Sequence, residues 1–278
     1  MLHAHHISAR PLLMGVLNIT PDSFSDGGVL YRDGAVQIAA VLQCAQEQID
    51  AGADILDVGG ESTRPGAEAV SDEIEVARVI PVIAALAKRF AVQISVDTSS
   101  PRVIREAAQA GASIINDVRA LTRPGAVAAA VDSGLRVCLM HMRGEPATMQ
   151  ADPGYTDVVA EVKSFLSERV AACLAAGIAR EHLMVDPGFG FGKSLQHNLQ
   201  LFRALPELVA QGLPVVVGVS RKSMIGNILQ RPVDERLQGS VSLALLAAQS
   251  GVSVLRVHDV GATMDALRIL EAVRGNDS

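Results

Sequence analysis

Eight short runs of β-branched and aliphatic residues recur along the chain, and they constrain its fold more than any single motif. They are LLMGVLNI (12–19), ILDVGG (55–60), VQISVDT (92–98), SIINDV (113–118), RVCLMHM (136–142), LMVDP (183–187), VVVGVSR (215–221) and VLRVHDV (254–260). Near-continuous apolar runs of this length read as strands buried on both faces, the environment of a parallel sheet. Between them lie stretches with helical periodicity, among them AVQIAAVLQCAQEQIDAG, SDEIEVARVIPVIAALAKRF and PRVIREAAQAG. Ser71 stands ahead of acidic first-turn residues as an N-cap, and Gly52, Gly111 and Gly177 stand where helices should stop. Eight strands, each followed by a helix, make an α/β protein with the (β/α)8 TIM-barrel architecture. An open doubly wound sheet competes, but it would place a phosphate-binding turn straight after the first strand. Here that strand ends in Asn18 with no G-x-G-x-x-G behind it. The 278 residues suit one barrel, since such barrels take about 250. No linker or low-complexity segment divides them, so the chain reads as a single domain over 1–278, with residues 1–10 as a flexible tail.

Bulk properties narrow the function. With 49% apolar and 19% charged residues the chain is a well-packed protein, and its net charge of −6 argues against a general nucleic-acid binder. Cys44, Cys138 and Cys173 are far apart and form no C-x-x-C pair, which favours a reducing, cytoplasmic setting over a disulfide framework or a zinc site. No segment is apolar and long enough to span a bilayer, and MLHAHHISARPLLMG lacks the apolar core of a signal peptide. His3, His5 and His6 read as part of the tail, not as a metal site.

The stretch DPGFGFGKS (186–194) ends like a phosphate-binding loop. That motif needs Gly five positions before the Gly of Gly-Lys-Ser, and the position five before Gly192 is Pro187. Nucleotide binding is therefore not expected there. In a barrel the chemistry sits at strand C-termini. Those positions hold Asn18, Asp57, Asp97, Asn116, His141 with Arg143, Asp186, Lys222, and Arg256 with His258. Polar ends capping single strands would be ordinary, but charges inside runs this apolar must be paired or liganded. Asp97, Asn116 and Asp186 suit a flat heterocycle with an amidine-like donor edge, with Phe189 or Phe191 covering an aromatic face. Lys222, Arg256 and His258 belong to the last two strands, where barrels frequently bind phosphate. The polar, turn-rich loops TPDSFSDGG (20–28), with Phe24, and ESTRPGA (61–67), with Arg64 placed to reach a diphosphate, read as mobile lids.

These residues fall in segments that resemble the signatures of dihydropteroate synthases: GVLNITPDSFSDGG, DVGGESTRPGA, SVDTS, IINDV, MHMRGEPATMQ, DPGFGFGK, GVSRKSMIG and RVHDV, one per strand and in order. The resemblance implies condensation of 6-hydroxymethyl-7,8-dihydropterin diphosphate with 4-aminobenzoate, inhibition by sulfonamides, and a homodimer packed through the later helices. It implies Asn18 as the ligand of Mg²⁺ and pterin contacts from Asp97, Asn116, Asp186 and Lys222. Thr63, Arg256 and His258 would hold the diphosphate, and Phe24, Pro65, Lys222 and Ser223 the aminobenzoate. Catalysis would rest on Asp97, Lys222 and Arg256. Diphosphate leaves readily once its charge is neutralised, and a neutral arylamine needs no strong base, so the implied mechanism is dissociative. VLYRDG (29–34) reads as a loop insertion. The competing readings are a Schiff-base aldolase using Lys222, a pterin-dependent methyltransferase, which has no use for the Arg256-x-His258 pair, and a non-catalytic pterin-binding module, which would tolerate loss of Asn18 or the lids.

Overall fold

The computed structural model describes residues 10–21, 30–32, 34–62, 70–144 and 154–275. Eight parallel strands form one sheet: β1 (Leu12–Asn18), β2 (Ile55–Gly59), β3 (Gln93–Asp97), β4 (Ile114–Asp117), β5 (Arg136–Met140), β6 (Leu183–Asp186), β7 (Val216–Val217) and β8 (Val254–Val257). In space they run β6-β5-β4-β3-β2-β1-β8-β7. A parallel bridge between Val185 and Val215 joins the two outer strands, with the Val185 N–H donating to the Pro214 carbonyl at 3.0 Å. The sheet thus closes on itself, and helices cover its outside, as the eight apolar runs led one to expect.

The helices stop where local chemistry stops them. Ser71 accepts from the Ile74 N–H at the start of Asp72–Arg89. Gly111, at φ 109°, ends Pro101–Ala110 in the left-handed conformation that glycine adopts without a Cβ penalty. Two expectations shift here: in the loop read at 29–34, Tyr31–Arg32 pairs antiparallel with Ala35–Val36, and the helix read from Ala35 begins only at Ile38. Of the tail read at 1–10, residues 1–9 lie outside the described residues, and Arg10 is held in place. Arg10 is clamped on Asp54 through two hydrogen bonds of 2.7 and 3.0 Å, while Asp54 accepts from the Leu13 N–H at 2.8 Å. A bidentate guanidinium–carboxylate pair fixes the chain just before β1.

Inside the barrel the side chains form tiers. Met14, Ile55, Ile114, Cys138, Met184, Val216 and Val254 make an apolar cluster of their own, separate from the larger core between strands and helices. Side chains alternate faces along a strand, so a step of two residues towards the C-terminal end stays inside. From Ile55, Ile114, Met184 and Val254 that step reaches Asp57, Asn116, Asp186 and Arg256. The apolar tier is the floor and the polar tier is the mouth.

Candidate active site at the barrel mouth

Strand register brings the mouth residues together. Asn18 pairs with Gly59, Gly59 with Asp97, Asp97 with Asn116, and Met140 with Asp186. A Cβ on Gly59 would stand 3.6 Å from Asn18 Oδ1 and 3.7 Å from Asp97 Oδ2. These two oxygens therefore face one gap that the absent side chain leaves open. Across the barrel, a Cβ on Gly218 would lie 3.7 Å from the Arg256 Cβ and 3.8 Å from Lys222 Nζ.

Arg256 is the hub. Its Nε donates to Asp57 Oδ2 at 2.7 Å and its Nη2 to Asp97 Oδ2 at 3.0 Å. Asn116 Nδ2 donates to the same Asp57 oxygen at 3.1 Å, and Asp57 is fully buried. Burial alone would weaken the guanidinium charge, but Asp57 and Asp97 raise its pKa above the ordinary arginine value. Burial pushes the Asp97 carboxyl above the usual carboxylate range even against Arg256, with Asp57 adding like-charge repulsion. Asp186 is raised by burial too, against Lys222 and the Gly188 N–H that donates to its Oδ1 at 2.7 Å. Carboxyls held this way respond strongly to a cation or amine edge entering the mouth. Asp57 was named among the strand-end residues but given no contact to a substrate; its place one inward step above Ile55 marks it as part of this cluster.

Lys222 donates to the Phe189 carbonyl at 2.5 Å and lies over the Phe191 ring, 4.5 Å from its centroid. Burial lowers its pKa to about 8, with Asp186 opposing. Phe191 thus belongs to the wall beside Lys222. Phe189 does not: it is fully buried and packs on Phe202. His258 Nδ1 stands 3.0 Å from Ser220 Oγ. Arg221, between Ser220 and Lys222, is a non-glycine residue at φ 57°, held by an ion pair with Asp259 of 2.6 Å. Strain of this kind gathers at functional sites. Ser223 is exposed at the start of the helix Ser223–Leu229. Phe24, Thr63, Arg64 and Pro65 lie outside the described residues. Arg143, noted beside His141, pairs with Glu161 at 2.8 Å.

The mouth therefore joins carboxylates and an amide on one wall to cations from the last two strands. Among the described residues no helix is long and apolar enough to cross a membrane. A family model for pterin binding enzymes matches residues 14–258. The Escherichia coli K12 dihydropteroate synthase is 54% identical over 264 residues, covering 95% of this chain and 92% of the relative. Solved structures agree. The Yersinia pestis dihydropteroate synthase with a sulfonamide drug superposes with a TM-score of 0.92 at 52% identity, over 96% of this chain and 95% of that one. The Xanthomonas albilineans enzyme with 4-aminobenzoic acid gives 0.88 at 50% identity, over 95% and 93%. With half its residues identical over nearly its whole length and the same barrel, the chain belongs to the dihydropteroate synthases within the pterin-binding enzyme family.

Proposed function

We propose that the protein joins 6-hydroxymethyl-7,8-dihydropterin diphosphate to 4-aminobenzoate, forming 7,8-dihydropteroate and releasing diphosphate. The observation that supports this most is the Arg256 hub, where cation, carboxylates and amide from four strands meet in one inward tier. Asp97, Asn116, Asp186 and Lys222 take the pterin. The amide and carboxyl groups meet its amino-pyrimidinone edge, and Phe191 lies along the wall. Thr63, Arg64, Arg256 and His258 receive the diphosphate, and Arg256 has Nη1 for it beyond the two nitrogens bound to Asp57 and Asp97. Phe24, Pro65, Lys222 and Ser223 surround the aminobenzoate.

Three groups do the chemistry. Arg256 neutralises charge on the departing diphosphate. Asp97 faces the positive charge that develops on the pterin methylene, and Lys222 fixes the ring between Asp186 and Phe191. Bond breaking precedes attack, so the arylamine meets a carbon that is already electrophilic. Among the described residues no group of three His, Cys, Asp or Glu side chains could hold a metal ion. Asn18 offers an amide oxygen in the mouth, which suits Mg²⁺, an ion that keeps several waters and accepts few protein ligands beside substrate phosphates. When bound, it would neutralise the diphosphate further. The whole chain, 1–278, acts as one unit, as a homodimer. The free thiols of Cys44, Cys138 and Cys173 fit a cytoplasmic home.

The test is diphosphate release from the dihydropterin diphosphate, with and without 4-aminobenzoate. Turnover should need both substrates, and a sulfonamide should compete with the aminobenzoate. Lys222→Ala and Asp186→Asn should abolish it while the variants still melt cooperatively. Near-native turnover in either variant overturns the assignment of the wall. Positional isotope scrambling within the diphosphate in the absence of aminobenzoate supports ionisation before attack; its absence opposes it.

A further inference from the structure

The loop Asp186–Ser194 has the reverse polarity of a phosphate loop. A phosphate loop turns backbone N–H groups towards an anion; here carbonyls turn towards two ammonium groups. Gly188, Gly190 and Gly192 have φ of 68°, 81° and 64°, alternating with Phe189 and Phe191. Lys193 Nζ donates to the Gly188 carbonyl at 2.8 Å and the Phe191 carbonyl at 3.1 Å, and meets His141 Nδ1 at 2.9 Å. Of the two carbonyls between those, that of Phe189 receives Lys222. Lys193 is 3% exposed. Burial lowers its pKa to about 7, with Asp186 opposing and Lys222 adding. Burial and the charge of Lys193 also push His141 down to about 3. The imidazole is therefore neutral, its Nδ1 lone pair faces the ammonium, and its proton is on Nε2. Its ring is fixed edge-on against Phe165 at 5.0 Å.

A buried lysine with good acceptors is commonly only a staple. What ties this one to the reaction is that Lys222 leans on the same four-residue span, Gly188 to Phe191. A Cβ on Gly190 would come within 3.2 Å of Lys222 Cδ, so the Lys222 stem runs close beside the loop at Gly190. We propose that Lys193 is a positioning residue, whose ammonium, gripped by His141 and the carbonyls of Gly188 and Phe191, sets the Phe189 carbonyl and the Phe191 ring that orient Lys222 towards the pterin. This rests on the pterin reading of the mouth and extends it to a residue with no place in the chemistry.

The experiment compares binding of 6-hydroxymethyl-7,8-dihydropterin diphosphate, by calorimetry without aminobenzoate, in wild type, Lys193→Met, Lys222→Met and the double variant. Wild-type binding and turnover test the pterin reading; the differences among variants test the inference. Lys193→Met should weaken binding roughly tenfold and lower kcat by a similar factor, the scale of a small misplacement of a substrate-holding group. In the Lys222→Met background the same change should cost less than about twofold, because the group it acts through is gone. Equal losses in both backgrounds, or Lys193→Met binding within twofold of wild type, overturn the proposal. Should Lys193→Met not fold, His141→Leu decides: it keeps the ammonium and removes one acceptor. Weakened binding that disappears in the Lys222→Met background supports the proposal, and unchanged binding overturns it.

Discussion

Glu75 sits in the first turn of the helix Asp72–Arg89 yet is 2% exposed. Burial pushes its carboxyl up to about 7, with the Thr98 hydroxyl pulling the other way and Glu61 and Asp72 adding repulsion. The folded state then holds a proton that the unfolded chain has lost, so folding weakens as pH climbs from about 4.5 to about 7. The loss is at most about 3–4 kcal/mol, taking 1.36 kcal/mol per pKa unit. Glu75→Gln should therefore melt roughly 5 °C or more above wild type at pH 8 and near it at pH 4, by calorimetry; equal Tm differences at both pH values refute the buried-acid account. Nothing in the sequence marked Glu75, because an acidic residue three or four positions into a helix is the usual dipole partner and reads as solvated. The mouth residues were legible for the opposite reason: Asp97, Asn116 and Asp186 interrupt apolar runs where a burial cost must be met. Lys193 escaped because its partners are backbone carbonyls and a histidine 52 residues away, which no spacing rule connects.

At the scale of elements, the loop after β6 depends on three glycines whose conformation L-residues adopt at a cost of roughly 1–2 kcal/mol each. A Cβ on Gly188 would meet the His141 carbonyl at 1.8 Å, and one on Gly192 the Arg143 carbonyl at 2.3 Å. Gly188→Ala should cost about 2–5 kcal/mol, left-handed strain plus overpacking, and should weaken pterin binding with it. Gly134→Ala, also at positive φ but with open space around it, should cost only the roughly 1–2 kcal/mol of strain and leave binding unchanged. Urea denaturation of the two variants measures the difference. The sequence showed the glycines but not their purpose, since carbonyl-in and N–H-in loops share one composition. It placed every barrel strand within a few residues, because continuous burial leaves a strong apolar signal. It missed the hairpin at 31–36, whose two-residue strands are too short to leave a period.

For the whole molecule, the eight-fold repetition was readable because each β-helix unit repeats one pattern, and closure followed from the strand count and the missing G-x-G-x-x-G turn; the bridge at Val185 and Val215 that joins the outer strands has no signature of its own. The later helices leave apolar side chains in water: Ile228, Leu229, Leu246, Ile269 and Val273 are 49, 41, 49, 67 and 80% exposed. Isolated exposed aliphatics are ordinary, but a group on neighbouring helices fits a partner copy. If the proposed homodimer uses this face, Val273→Glu together with Leu246→Glu should shift sedimentation from dimer to monomer without unfolding the barrel; an unchanged sedimentation coefficient removes the dimer from this face.

The clamp of Arg10 on Asp54 has a practical corollary. It ties the segment before β1 to Asp54, the residue before β2, a full strand length away from the chemistry. A fluorescent protein or affinity handle fused ahead of Arg10 would hang from the closed end like a keel, and turnover should proceed as though the cargo were absent. Deleting through Arg10 would cut the mooring itself.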